Sequence, residues 1–168
     1  MKALGIVCAL AIALALQTSI GRFAGQGFGV VDFVLVAVVA SGLAGGPAVG
    51  TLAGTIGGLV QDALSSGVLG IGGLAKSIVG YLVGVASAQF IVAQPLPRMV
   101  VFAGATFVHA GIFMGLYELL DLRDFGTPWV AISSQAVGNA IVGVVGLQLV
   151  AMLPGFAARR QNRPRAYR

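Results

Sequence analysis

The sequence predicts an all-α membrane protein, a bundle of six transmembrane helices, and three observations lead to this fold class. The 168-residue chain is 58% hydrophobic and only 9% charged, whereas a soluble domain is about 25% charged. Six apolar segments follow one another, separated by short turns, and a membrane helix needs about 20 such residues. Glycines recur at four-residue spacing, and small residues in that pattern line the packing faces of membrane helices.

The first half of the chain holds three of the predicted spans, which are Ala3 to about Ile20, Val30–Leu43 and Ala48–Leu64. The first begins with a continuous apolar run, Ala3–Leu16, behind Lys2; the alternative is a signal peptide, with Ala13–Ala15 as a weak small-x-small site. Asp32 lies near the start of the second, where we expect an interfacial acid that suits the helix dipole. Pro47 fits the first turn of the third.

The second half holds the other three, which are Leu69 to about Val92, Met99–Leu120 and Pro128–Leu153. A turn at Ser65-Ser66-Gly67 precedes the fourth span. Two prolines in Gln94–Arg98 are expected to form a loop between the fourth and fifth. A charged loop, Asp121–Thr127, precedes the sixth, and Pro154 ends it.

Residues 1–155 are therefore predicted to form the membrane domain and residues 156–168 a basic tail. Five arginines crowd that tail: Arg159, Arg160, Arg163, Arg165 and Arg168. A nucleic-acid tail is the weaker alternative, because basic residues beside a span stay in the cytoplasm and are attracted to anionic lipid headgroups. Six spans then place both termini in the cytoplasm. A re-entrant third or fourth segment would leave five spans and invert the N-terminus.

Two ionisable residues, Asp62 and Lys76, lie inside the apolar, glycine-rich third and fourth spans. In lipid such residues are costly and usually functional. Residues four apart share a helix face, and two such rows contain the charges: Gly50, Gly54, Gly58 and Asp62 on one helix, and Gly72, Lys76, Gly80 and Gly84 on the next. Each charge is therefore predicted to face protein, with Gln61 in the neighbouring row.

Several roles for this pair remain open. Asp62 and Lys76 lie near enough to one turn to form an ion pair, although a partner on another helix or a water-filled cavity would also satisfy each charge. A structural role in fixing the helices or docking a partner is favoured over proton relay, transport or interfacial snorkelling.

The remaining polar residues favour packing over chemistry. His109, in the middle of the fifth span, is predicted to be a hydrogen-bonded packing residue rather than a proton relay, and it has no companion for a zinc site. The acids Glu118, Asp121 and Asp124 are expected to form a solvated rim. Gln135 and Asn139 share a face of the sixth span, where their amides should bond across helices. There is no phosphate-loop motif, and nothing in the sequence indicates an enzyme, a metal or a cofactor.

The third and fourth spans carry a series of short motifs: Leu59-Val-Gln-Asp62, Leu64-Ser-Ser-Gly67, Leu69-Gly70, Gly73-Leu-Ala-Lys76 and Gly80-Tyr81. This series resembles the MreD family of rod shape-determining proteins. The resemblance covers about 30 residues and agrees with the size of the chain and its basic tail.

This resemblance implies a non-enzymatic scaffold of the bacterial elongation machinery in the inner membrane. Such proteins work beside the bitopic protein MreC, with MreB filaments, RodA and its transpeptidase partner in the same assembly, and they help to couple MreB to peptidoglycan synthesis. The family also looks similar in fold to the substrate-binding subunits of energy-coupling-factor vitamin transporters, which provides the alternative function. This chain has one Trp and three Tyr, few aromatic groups for a vitamin site.

The predicted site for partner binding or for the core of the bundle consists of Gln61, Asp62, Gly72, Lys76, Gly80, Tyr81 and Gly84. Membrane lipids are expected to surround the bundle, and no nucleic acid is expected to bind. The sequence leaves open the oligomeric state, a bound ligand or lipid, and the helices that contact each partner.

Overall fold

The computed structural model describes residues 2–23, 31–65, 67–89, 94–123, 125–126 and 128–152. The described part is all-helical, as predicted, with six helices: α1 (Lys2–Phe23), α2 (Phe33–Gly45), α3 (Pro47–Leu64), α4 (Ile71–Gln89), α5 (Pro95–Leu119) and α6 (Trp129–Met152). The predicted tail, residues 156–168, and Asp124 lie outside these residues.

Within the described residues, three helices are long and apolar enough to cross a membrane, namely α4, α5 and α6. The apolar segments Leu4–Ile20 of α1 and Phe33–Gly45 of α2 are shorter. At 1.5 Å per residue, the 13 residues of α2 extend only about 20 Å, less than the roughly 30 Å hydrocarbon core. The count of six complete spans therefore stays a prediction.

Several predicted boundaries are wrong, among them the starts of the second, fourth and fifth spans; the second helix begins at Phe33 rather than Val30. The prolines expected in a loop lie inside α5, which begins at Pro95 with proline in its first turn. The first N–H groups of a helix have no partner within it, so proline loses nothing at these positions. The fourth helix begins at Ile71 rather than Leu69, because the two residues before it form a turn.

The short helix α2 is the centre of the bundle, since it contacts all five of the other helices. On one side Leu35 and Val39 pack with Val79, Phe102 and other residues of α4, α5 and α6. On another side, Val34 and Val38 pack with Leu10 of α1 and with α3. α2 therefore lies between two apolar clusters, and its N-terminus is held inside the protein.

Candidate functional site

The buried N-terminus of α2 is held by side chains from two other helices. Asp32 is its N-cap, and its Oδ1 accepts a hydrogen bond of 2.9 Å from the backbone N–H of Leu35. The N–H of Asp32 donates to Asn139 Oδ1 on α6 at 2.8 Å, and that of Phe33 donates to Gln17 Oε1 on α1 at 2.9 Å. The first N–H groups of a helix need such acceptors because they have none within the helix.

Lys76 of α4 extends into the same region and pairs with Asp32. Its Nζ lies 3.0 Å from Asp32 Oδ2 and 3.1 Å from His109 Nε2 on α5. Lys76 is only 3% exposed, Asp32 6% and His109 8%. Because an ammonium group donates and never accepts, His109 accepts through Nε2 and is therefore neutral. The ion pair thus has the additional hydrogen bond that a buried lysine needs.

The amide of Asn139 continues this network from α6 to α5. Its Nδ2 donates to Thr106 Oγ1 at 2.9 Å, and the hydroxyl of Thr106 donates to the Phe102 carbonyl oxygen at 2.9 Å. We call Asp32, Lys76, His109, Thr106 and Asn139 the polar core. All five side chains are buried, and together they join α2, α4, α5 and α6.

The glycine rows of α3 and α4 are packing faces, as the four-residue spacing predicts, and in the structure they face each other with their backbones in contact. A Cβ atom on Gly50 would collide with the carbonyl group of Gly80, and one on Gly54 with the carbonyl of Lys76. A Cβ on Gly58 would lie 2.5 Å from the Cα of Gly73. Glycine is the residue that permits this approach, so these rows form the contact that places Lys76 in the bundle.

The ion pair considered between Asp62 and Lys76 does not form. Asp32 lies at a helix N-terminus, as expected, but it is buried among the helices rather than exposed as an interfacial acid. Lys76 pairs with Asp32, whereas Asp62 Oδ2 accepts hydrogen bonds from the N–H groups of Gly70 at 2.9 Å and Gly73 at 3.1 Å. Asp62 therefore caps the N-terminus of α4. Asp62 lies just beyond the N-terminal end of α4, the helix that carries Lys76. The partial positive charge of that helix end is therefore closer to Asp62 than the ammonium group of Lys76 is.

The other predicted site residues separate into inner and outer positions. Gly72, Gly80 and Gly84 are buried against α3 or the turn before it. Gln61 is partly buried, and its Oε1 is the one buried side-chain polar atom without a hydrogen-bond partner in the described residues. Tyr81 is 52% exposed on the outside of the bundle, so it does not belong to the core.

The packing and hydrogen bonds predicted for His109 and Asn139, and the exposure predicted for Glu118, are confirmed. His109 is a hydrogen-bonded packing residue, which also stacks on Phe113 with ring centroids 5.8 Å apart. The amide of Asn139 bonds across helices. Glu118 is exposed near the end of α5, as a solvated rim requires.

The sequence reasoning missed the role of Asp32 and the participation of Thr106. Asp32 precedes an apolar helix that is too short to cross the membrane. An acid in front of such a short helix was the feature of the sequence that could have indicated its burial. A helix that begins inside the bilayer needs acceptors at its N-terminus, which makes an acid at that position a candidate for the interior. Thr106 had no comparable signal, because threonine commonly bonds its own helix.

Comparison with known proteins identifies one family. A family model described as rod shape-determining protein MreD matches residues 2–149. No curated protein matches the chain, and neither does any solved structure. The match covers α1 to α5 and most of α6, and the chain therefore belongs to the MreD family of rod shape-determining membrane proteins.

Proposed function

We propose that this protein is a non-enzymatic scaffold of the bacterial elongation complex. Its family implies a role in rod shape determination. In this proposal it binds an MreC-type bitopic protein and helps to couple MreB filaments, RodA and its transpeptidase partner to peptidoglycan synthesis. In this proposal the protein lies in the cytoplasmic membrane, which it crosses six times, with both termini on the cytoplasmic side.

The observation that carries the proposal is the internal pairing of the polar core. Asp32 and Lys76 neutralise each other 3.0 Å apart, and His109 and Asn139 are bonded on either side. Charges arranged in this way fix the relative positions of four helices. Polar groups bonded across helices orient the helices, and a defined outer surface is what a scaffold offers to its partners.

The transporter alternative would need a cavity for a small molecule. A cleft of about 190 Å³, one of those in the part of the chain that the structure describes, lies near the C-terminal ends of α2 and α4 and is lined by Ala40, Leu43, Ala44, Ser87, Arg98 and Leu147. Ligand pockets usually measure about 300–1,000 Å³. No observation specifically favours transport, and we retain it only as an outcome of the test.

The test is co-purification of the full chain with the MreC-type protein of the same bacterium after co-expression and mild detergent extraction. We expect the two proteins to elute as one complex, and native mass spectrometry of the chain alone should show no small molecule. A bundle that stays monomeric beside MreC while retaining a small ligand through detergent would contradict the scaffold and support transport.

A further inference from the structure

The cleft near the C-terminal ends of α2 and α4 combines a basic side chain with an aliphatic wall. Arg98 and Ser87 line it together with four aliphatic residues, Ala40, Leu43, Ala44 and Leu147. Three of these aliphatic side chains, those of Ala40, Leu43 and Leu147, also pack against the core cluster of α2, α4, α5 and α6. None of the six lining residues is buried, so the cleft leads from this core cluster to the outside of the bundle.

The ends of four helices place this cleft at one end of the bundle. Arg98 lies in the first turn of α5, and Ser87 lies in the last turn of α4. The Ser87 hydroxyl is 3.3 Å from the carbonyl oxygen of Gly42, close to the end of α2. Leu147 belongs to the last two turns of α6, so the chain that follows α6 also starts from this end.

Acidic and basic residues are separated between the two ends of the bundle. Asp62, Glu118 and Asp121 lie at the opposite end, where α3 and α5 terminate, and Asp32 is paired with Lys76 inside the bundle. Among the residues that the structure describes, no acidic side chain therefore lies at the cleft end. The sequence that follows α6 adds five arginines and no acidic residue. A basic surface of this kind attracts anionic lipid headgroups.

We propose that the cleft binds one anionic phospholipid, with the headgroup phosphate at Arg98 and part of an acyl chain against the aliphatic wall. A guanidinium group has five N–H donors and suits the geometry of a phosphate, so Arg98 can bind the lipid while it keeps its interaction within the chain. A soluble anion would leave the aliphatic wall uncovered, whereas a phospholipid matches both parts of the cleft. The inference goes beyond the scaffold function and does not depend on it, since the chain alone should bind the lipid.

The charge test titrates the purified full chain in detergent with dioleoylphosphatidylglycerol, which is anionic, or with dioleoylphosphatidylcholine, which is zwitterionic and has the same acyl chains. Native mass spectrometry counts the bound molecules, and the mass of a phospholipid distinguishes it from a soluble ligand. We expect the first phosphatidylglycerol to bind more tightly than phosphatidylcholine, because the basic end of the bundle repels the choline cation.

Two arginine variants locate the bound headgroup. Arg98→Gln should lower the affinity for phosphatidylglycerol about fivefold, the effect of one basic residue at an anionic surface. Arg123→Gln removes the same charge at the opposite end, where the guanidinium carbon lies 5.3 Å from the centroid of the Phe125 ring. This control variant should bind the lipid as the unchanged chain does.

A second pair of variants tests the aliphatic wall without changing the charge. Ala44→Leu places a larger side chain in the cleft, and Ala63→Leu makes the same change near the end of α3; both alanines are exposed, so both variants should keep their thermal midpoints. We expect Ala44→Leu to lower the affinity for phosphatidylglycerol about fourfold, the equivalent of about one buried methylene group, and Ala63→Leu to leave it unchanged.

Three results would overturn the assignment. Equal affinity for the two phospholipids would remove the selection for negative charge. Equal affinity of Arg98→Gln and Arg123→Gln for phosphatidylglycerol would assign lipid binding to the arginines after α6 rather than to the cleft. Displacement of the lipid by inorganic phosphate would indicate a site for a free anion. Capture of the MreC-type protein by the same preparations tests the scaffold function separately, so either proposal can fail alone.

Discussion

Two faces of this molecule are rich in glycine, and they have opposite surroundings. The inner rows on α3 and α4 are covered, so a Cβ on Gly50 or Gly80 would strike the other helix. On α5, Gly104, Gly111 and Gly115 have no atom within 4 Å of such a Cβ. The spacing of Gly111 and Gly115 is the same four residues that separates Gly50 and Gly54. Spacing therefore indicates a face of a helix, and only the neighbouring helices decide whether it is covered.

The covered face also brings a charge into the bundle, and removing the partner of that charge should have the largest effect. We expect Asp32→Ala to lower the free energy of unfolding by about 3–5 kcal/mol, because Lys76 is left charged and unpaired among apolar residues. The measurement is unfolding in mixed detergent micelles, with Glu118→Ala at the exposed end of α5 as the control.

Adding Lys76→Met to Asp32→Ala should restore part of this loss, because the double variant no longer buries a lone charge. If Asp32→Ala lowered the free energy of unfolding no more than Glu118→Ala does, the ion pair would not stabilise the bundle. Electrostatic pairing would then not distinguish the covered face from the open one.

Matched alanine substitutions test whether the covered glycines on α3 and the uncovered glycines on α5 differ in the space available to a side chain. Gly50→Ala should destabilise the protein by about 1–3 kcal/mol, because the new methyl group forces α3 away from the Gly80 carbonyl. Gly111→Ala meets open space and should stabilise α5 by about 0.5–1 kcal/mol, since alanine loses less conformational freedom in a helix than glycine. Opposite signs in the same unfolding assay are the expected result, whereas equal effects would contradict it.

The smallest expected destabilisation concerns Asp62, at the margin of the covered face. Asp62→Ala should cost about 1 kcal/mol, since the N–H groups of Gly70 and Gly73 lose their acceptor. Asp62→Asn retains an acceptor oxygen and should cost less. Amide hydrogen exchange at Gly70 and Gly73 provides a local measurement, and unchanged protection in Asp62→Ala would contradict the capping role.

Much of the architecture was predictable because membrane helices have strong patterns. The six apolar segments appear as six helices, and the glycine rows correctly placed Lys76 on a buried face. The boundary at Pro95 was wrong because proline both ends one helix and begins the next. For the candidate site, the sequence indicated Lys76, His109 and Asn139 separately and assigned none of them its partner.

The sequence by itself determined that this is a helical membrane protein of the MreD family, and that Lys76 and Asn139 lie on the protein-facing sides of their helices. The tertiary structure decided that Lys76 pairs with Asp32 rather than Asp62, and that Tyr81 faces outwards while Gly80 faces α3. The reason is that the spacing of residues along the sequence describes one helix at a time. An ion pair depends on which helices meet and on how far one is shifted along its axis relative to the other, which we call their relative height. In this bundle the short helix α2 sets that height by beginning inside the protein beside Lys76.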